Sequence, residues 1–192
     1  MEKKFELTDK FVFNTFGIKL FQIKCTKSFK YAKEGDLGGY VEKDENLDQE
    51  SNAWVSGDAR VYGDARVYGD AWVSGDARVY GDAWVYGNAR VSGDARVYGN
   101  ARVSGDARVY GDADIENDNN HCGFDCFGSC NRHTHAYLTK DNKVEITCGC
   151  FRGSIEEFEK KVEKTHSGTI YEKQYKAIIN VIKIKFGLTD LI

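Results

Sequence analysis

The residues best suited to chemistry in this chain are thiols and imidazoles gathered toward its C-terminal end. All but one of the six cysteines and all four histidines lie between His121 and His166. A structural zinc ion takes four such ligands in a tetrahedron. A β-hairpin that turns at Asp141-Asn142 would pair Thr139 with Val144 and set two histidines opposite two cysteines. This register predicts a Cys2His2 zinc site, whose ligands are His133, His135, Cys148 and Cys150.

The same cluster has other interpretations. No C-x-x-C pair is present, and a shift of one residue in the strand register would misalign the cross-strand pairs. Free cysteine is commonly buried, so the Cys-Gly-Cys strand also fits plain core packing. Cys122, Cys126 and Cys130 form a second, less regular set. Thiol catalysis would need an oriented base and oxyanion donors, so we predict no catalytic residue and no cofactor, with structural zinc or buried thiols as the alternatives.

Arginine and aromatic residues recur at fixed spacing through the middle of the chain. An aliphatic residue occurs every six positions from Val55 to Ile115, and the pattern V-[YS]-G-[DN]-A-[RW] fills the intervals. Each hexad supplies a short strand with valine inside, and glycine followed by Asp or Asn turns the corner. Three hexads close a triangular coil. The sequence therefore predicts a mainly β fold, built on a left-handed parallel β-helix of about 3.7 coils and roughly 18 Å in height.

Stacking of successive coils sorts the outward positions into three faces. The first face carries Trp54, Trp72, Arg90 and Arg108; the second carries Arg60, Arg78 and Arg96 beside Tyr62, Tyr80 and Tyr98; the third carries Arg66, Trp84 and Arg102 beside Tyr68, Tyr86 and Ser104. Arginine binds phosphate, and aromatic rings stack on planar groups. The predicted ligand-binding residues are Arg60, Tyr62, Arg78, Tyr80, Arg96, Tyr98, Trp84 and Arg102.

Charge limits the partners of these faces. The net charge is -3, and we expect the repeat arginines to be neutralised by aspartates at the neighbouring corners. Polymeric nucleic acid is therefore disfavoured against a solvated face, a contact between subunits or a small-anion site. The aspartates do not follow the calcium-binding nonapeptide pattern, so we interpret them as corner residues.

The flanks divide the chain into three segments. We predict an N-terminal β segment at 1–46, which caps the prism, the β-helix at 47–116, and a hairpin with a two-helix cap at 117–192. The N-terminal segment has a strand at Ile18–Cys25 and a glycine-rich turn at Gly35–Gly39. In the cap, a capping box from Ser154 to Glu157 starts one helix and a second runs from about 171 to 186. No membrane-length apolar run or signal peptide is present, which predicts a cytoplasmic protein with reduced cysteines.

Several stretches of the chain resemble phage and prophage hexapeptide-repeat proteins. They are F-E-L-T, G-I-K-L-F-Q-I-K, K-E-G-D-L-G-G-Y-V-E-K-D-E-N-L and N-A-W-V, and the end C-G-C-F-R-G-S-I-E-E-F-E-K-K-V-E-K-T-H resembles the small cap of some members. The resemblance covers most of the chain and implies the fold and a phage origin. The coil also resembles hexapeptide acyltransferases. Those enzymes use an interface histidine and an excursion loop, whereas no histidine precedes His121 and the spacing leaves no loop.

Exposed aromatic columns suggest that this prism does not stand alone. Large aromatics are enriched at buried interfaces, and helices of this class often form three-fold oligomers, so we expect a homotrimer. Its clefts would suit a small anionic, aromatic ligand such as a nucleotide. By analogy with phage proteins that sequester nucleotide signals of bacterial immunity, we expect a non-catalytic counter-defence binding protein. A scaffold or inhibitor that binds a host defence protein, and an acyltransferase, are the alternatives.

Overall fold

The computed structural model describes residues 3–188; positions 1–2 of the first predicted segment and 189–192 of the last lie outside the described residues. The flanking elements are β1 (Phe5–Phe13), β2 (Lys19–Cys25), β3 (Leu37–Val41), β15 (His121–Phe127), β16 (Arg132–Leu138), β17 (Val144–Cys148), β18 (Phe151–Ser154), α1 (Ile155–His166) and α2 (Ile170–Lys185). Between them lie β4 (Trp54–Val55), β5 (Arg60–Val61), β6 (Arg66–Val67), β7 (Trp72–Val73), β8 (Arg78–Val79), β9 (Trp84–Val85), β10 (Arg90–Val91), β11 (Arg96–Val97), β12 (Arg102–Val103), β13 (Arg108–Val109) and β14 (Asp114–Ile115).

The hexads form a β-solenoid of about four turns, as the spacing predicts. Each short strand pairs in parallel with the strand three hexads later, so that Val55 lies beside Val73 and Arg90 beside Arg108. Backbone bonds join the coils, for example from the amide of Arg60 to the carbonyl of Ala77 at 2.9 Å. The valines and alanines of the repeat fill the interior and are almost completely buried. Burial of these small side chains supplies the hydrophobic stabilisation of the prism.

Glycine is required at the corners for two reasons. Gly87 has φ +68°, a conformation that L side chains rarely adopt. A Cβ atom at Gly87 would also lie 2.9 Å from the amide nitrogen of Gly105 in the next coil. The close spacing of stacked corners therefore selects the glycine column of the repeat.

The N-terminal segment extends one sheet of the solenoid. Strand β2 pairs antiparallel with both β1 and β3, and β3 pairs in parallel with β5 to give a seven-stranded sheet. The predicted turn at Gly35–Gly39 is wrong in its second half, because β3 begins at Leu37. A Cβ at Gly38 or Gly39 would lie 2.7 Å from the carbonyl oxygen of Val55 or 2.6 Å from that of Ala59. These two glycines let a strand lie directly on the first coil, which the sequence pattern does not distinguish from a turn.

The C-terminal unit is a four-stranded antiparallel sheet with two helices on one face. Ser154 and Glu157 form the predicted capping box: each side chain accepts a hydrogen bond from the other's amide. The opposite face of the sheet contacts the last coil, where the hydroxyl of Thr147 donates to the carbonyl of Arg108 at 2.9 Å. Within residues 3–188, no helix is long and apolar enough to cross a membrane.

Candidate ligand-binding site

The second face holds the predicted Tyr62, Tyr80 and Tyr98 in one stacked column. Neighbouring ring centroids lie 5.0 Å apart and the planes are nearly parallel. This spacing leaves no gap into which a planar ligand could insert. Tyr62 is 7% exposed because it packs with Leu20 and Tyr40, and burial raises the pKa of its hydroxyl. The column is thus packed against itself and the N-terminal hairpin, beside the half-buried Arg60, Arg78 and Arg96.

The third face brings Trp84 and Arg102 together. The Arg102 guanidinium lies 5.1 Å from the Trp84 ring centroid, and Tyr68 meets the same ring edge-on at 6.1 Å. The nearby cavity of about 610 Å³ is rimmed by Asp44, Glu45 and Glu50. These carboxylates would repel an anion, so this face is a poor candidate for the predicted ligand.

The repeat arginines do not form ion pairs with the corner aspartates that were expected to neutralise them. Among residues 3–188, no arginine of the repeat lies within ion-pair distance of a carboxylate. Several corner aspartates contact other groups: Lys30 binds Asp70 at 2.8 Å, the Asn88 amide donates to Asp106 at 2.9 Å, and Lys140 lies 3.5 Å from Asp112. The reason is geometric, since the arginines lie on flat faces and the aspartates at the corners. The guanidinium groups of the faces are therefore not paired directly with the corner carboxylates.

The four predicted zinc ligands do not face one another. The register differs by one residue, so that Cys148 lies opposite Thr134 instead of His135. His133 and His135 consequently point toward the solenoid side of the sheet, where their rings are 5.7 Å apart. Cys148 packs on the helix side with Thr134 and Tyr175, and Cys150 is exposed in the following turn. Within the described residues, no three His, Cys, Asp or Glu side chains are placed to hold a metal ion.

Three histidines instead form a contact chain between the C-terminal sheet and the last coil. His121 Nδ1 lies 3.0 Å from His135 Nε2, and His133 Nδ1 is 2.5 Å from an Asp125 oxygen. Burial lowers the pKa of His135 well below its ordinary value, and the neighbouring His121 and His133 act in the same direction. His135 is therefore held neutral.

The first face carries the most concentrated positive charge beside a cavity. We call this cavity, of about 440 Å³, the basic groove; it is lined by Lys30, Tyr31, Asn88, Arg90, Asp106, Arg108, Asn131, Arg132, His133 and Gly149. The residues come from the loop between β2 and β3, from two successive coils, and from the C-terminal sheet. Three separate parts of the chain thus meet at one surface.

Local packing positions each wall of the groove. Tyr31 stacks on Trp72 with centroids 5.7 Å apart, and the Arg90 guanidinium lies 5.7 Å from the same indole. Arg108 lies one coil beyond Arg90 and donates from Nη1 to the carbonyl of Gly149 at 2.9 Å. This bond ties the solenoid to the turn between β17 and β18.

The charges of the groove favour an anion. Lys30 is paired with Asp70, and the Asp106 carboxylate of the lining keeps its negative charge while it accepts a bond from the Asn88 amide, so three guanidinium groups line the groove against one carboxylate. Within the part of the chain that the structure describes, the guanidinium groups of Arg90, Arg108 and Arg132 have no carboxylate partner. Arginine binds phosphate and carboxylate through paired N–H donors, so this arrangement can hold an oxyanion.

None of the eight predicted ligand-binding residues lines this groove. The column Trp72, Arg90 and Arg108 is visible in the repeat and could have been singled out. Lys30 and Arg132 could not, because they lie outside the hexads and reach the groove only through the packing of both flanks. Residue spacing predicts contacts within the prism, whereas it does not predict where the flanks dock.

Comparison with known families agrees with this architecture. No curated protein matches the chain significantly. The family model described as the YdcK beta solenoid repeat matches residues 53–69, 59–75, 71–87, 83–99, 95–111 and 101–115. These matches cover about a third of the chain and coincide with the coils. Residues 53–115 are therefore a β-solenoid similar to the YdcK repeat, and the chain is a β-solenoid repeat protein.

Proposed function

We propose that this protein is a non-catalytic binding protein that sequesters a small anionic, nucleotide-type ligand. The observation that carries the proposal is the basic groove, where Arg90, Arg108 and Arg132 converge without carboxylate partners. Their guanidinium groups suit the phosphates of such a ligand. The ligand site thus lies on the first face, and it replaces the Arg/Tyr columns of the second face as the centre of binding.

The molecular setting belongs to the same proposal. The prism is left-handed and assembles as a homotrimer, so each assembly offers three equivalent grooves. The protein is phage-encoded, acts in the cytoplasm of the bacterial host and counteracts immunity by removing a nucleotide signal. The resemblance of Gly35–Leu47 and of the C-terminal stretch to phage hexapeptide-repeat proteins supports the origin, and analogy supports the counter-defence role.

A non-catalytic role fits the chemistry of the groove. Its lining residues supply cations that bind charge, and they include no serine, threonine or cysteine nucleophile. His133 lines the groove and is oriented by Asp125, as a general base would be, but the lining offers it no such nucleophile to activate. The proposed role of the groove is therefore to bind its ligand without covalent catalysis.

Exposed apolar side chains favour a second candidate function, that of a scaffold or inhibitor bound to a host protein. Phe13 and Phe16 on the β1–β2 hairpin are 61% and 75% exposed, and Ile184 on α2 is 60% exposed. Such side chains are typical of contact surfaces. A scaffold of this kind would bind no nucleotide.

Calorimetric titration with nucleoside 5′-diphosphates separates the two functions. The proposal expects stoichiometric binding to the wild-type protein and unchanged ligand after denaturation. Each of Arg90→Ala and Arg132→Ala removes a charged hydrogen-bonding partner, which is worth about 1.5–3 kcal/mol, so affinity should fall at least about tenfold. Arg66→Ala is the matched control, because Arg66 is an exposed repeat arginine on the third face. Equal affinity in all four proteins would refute the groove as the binding site.

A further inference from the structure

A small apolar pocket lies within the C-terminal unit, next to the basic groove. Its volume is about 100 Å³, and Phe151, Phe158 and Tyr175 form its aromatic wall. The ring centroids of Phe151 and Phe158 are 5.0 Å apart, and Tyr175 meets Phe158 edge-on at 5.6 Å. The side chains of Lys161 and His166 complete the lining, with His166 stacked on Tyr175 at 5.4 Å. We call this cavity the apolar pocket.

The groove and the apolar pocket share a wall. Arg132 lines both cavities, while Gly149 lines the groove and its two neighbours, Cys148 and Cys150, line the pocket. A Cβ at Gly149 would lie 2.5 Å from Nη1 of Arg132, so the guanidinium rests directly against this turn. A ligand whose phosphate contacts Arg132 therefore contacts a residue that also lines the apolar pocket.

The two cavities have complementary chemistry. The groove supplies cations: Arg90, Arg108 and Arg132 line it, and Lys30 lies over the ring of Tyr31. The apolar pocket supplies aromatic surface and, through Lys161 and His166, polar groups at its border. A planar ring attached to a phosphate needs an apolar surface next to a cationic one, and Arg132 lines both cavities.

We infer that the apolar pocket takes the base of a nucleoside phosphate whose phosphates lie in the basic groove. The inference rests on the proposed function and names its ligand class: one base and a phosphate chain, bridged by Arg132. The pocket has room for a single small ring system, so a ligand with two bases would leave one outside. Base selectivity is then set by Lys161 and His166, not by the residues of the solenoid.

Calorimetry with two probes, inorganic pyrophosphate and a nucleoside 5′-diphosphate, tests the inference. Pyrophosphate occupies the groove alone, so the base should improve the affinity of the best nucleoside diphosphate by about tenfold or more. Thr165→Tyr fills the pocket from an exposed position on α1 and should abolish this advantage without changing the affinity for pyrophosphate. Ala177→Tyr, at an exposed position of α2 outside the pocket, is the matched control and should keep the advantage.

The outcomes distinguish the inference from the function on which it rests. Equal affinity for pyrophosphate and every nucleoside diphosphate, or a base advantage that survives Thr165→Tyr, would overturn the role of the pocket and leave the groove as an anion site. Binding of neither probe to the wild-type protein would overturn both.

Discussion

Single side chains of this protein are positioned by contacts that cross from one part of the chain to another. Arg108 of the solenoid is held by the carbonyl of Gly149, and Arg132 lies against the same glycine. His135 is enclosed between the last coil and the C-terminal sheet with His121 at 3.0 Å. The groove depends on the backbone conformation of Gly149, and the contacts among the histidines depend on the buried His135. Replacement of either residue should have a measurable effect.

Gly149→Ala should weaken ligand binding through Arg132. Gly149 has φ +60°, and the added Cβ would meet the Arg132 guanidinium at 2.5 Å. We expect a loss of about 1 kcal/mol in the free energy of unfolding from backbone strain, and a separate loss of affinity because Arg132 must move. Gly168→Ala is the control: Gly168 has φ +73° but nothing within 4 Å of its Cβ position. A similar loss of affinity in both variants would show that Arg132 is not involved.

Protonation of His135 should make stability depend on pH. Burial lowers its folded-state pKa well below the unfolded value of about 6.5, so the unfolded chain binds more protons as the pH falls. Stability from neutral His135 is therefore present above about pH 6.5 and is lost as the pH falls from there toward the folded-state pKa, by at most about 1.4 kcal/mol per pH unit.

Urea unfolding between pH 8 and 5 measures this dependence. His135→Leu should flatten the dependence of stability on pH. His166→Gln should retain it, because His166 is a half-buried histidine that does not contact His121, His133 or His135. A profile in His135→Leu as steep as that of the wild type would exclude His135 as its source.

The Asp and Asn residues at the corners of successive coils stack in columns along the edges of the prism. These columns differ in which residue types they stack. One column alternates amide and carboxylate, and its members hydrogen bond: Asn52 donates to Asp70 and Asn88 to Asp106, at 2.8 and 2.9 Å. Another column contains only carboxylates, namely Asp58, Asp76, Asp94 and Asp112. Successive members of a column are separated by one coil, about 4.8 Å, so like charges are stacked in the second column.

Asp76→Asn should therefore stabilise the solenoid. It relieves repulsion from both Asp58 and Asp94 and permits the amide–carboxylate bonds seen in the alternating column, with an expected gain of about 0.2–1 kcal/mol. The gain should shrink at high salt because these corners are exposed. Thermal unfolding at two salt concentrations measures it. Asp106→Asn, which replaces the acceptor of Asn88 in the alternating column, should give no gain, and equal gains would argue against the repulsion.

The elements also show what the sequence predicts and what it does not. The hexad spacing predicted the coils and their register, because a glycine corner and an inward valine permit only one stacking. The C-terminal hairpin was predicted one residue out of register. Asn142 has φ +56°, so three residues form the turn, with Thr139 bonded to Lys143, in place of a two-residue turn. That single residue placed the histidines and Cys148 on opposite faces, and with Cys150 in the following turn the four predicted ligands do not meet.

At the scale of the whole molecule, the candidate site is made by assembly of three parts. The loop at Lys30 and Tyr31, the first face at Arg90 and Arg108, and the C-terminal sheet at Arg132 are far apart in sequence. Arginines and aspartates that are close in the sequence of the repeat lie at different places on the prism, the arginines on its faces and the aspartates at its corners. The proposed class of ligand is the same as the predicted one, but the residues proposed to bind it are different, because docking of the flanks leaves no periodic signal in the sequence.

Native mass spectrometry of the protein purified from cells, compared with the same sample after denaturation, is the most direct test of ligand sequestration in the groove. The proposal predicts a trimer that carries several hundred daltons of non-covalent mass per site, or that takes up one added nucleoside diphosphate per chain, with the mass released intact on denaturation. Loss of this mass in Arg90→Ala and Arg132→Ala, but not in Arg66→Ala, would assign it to the groove. A wild-type protein that stays bare with every nucleoside diphosphate added would contradict the proposal and favour the scaffold.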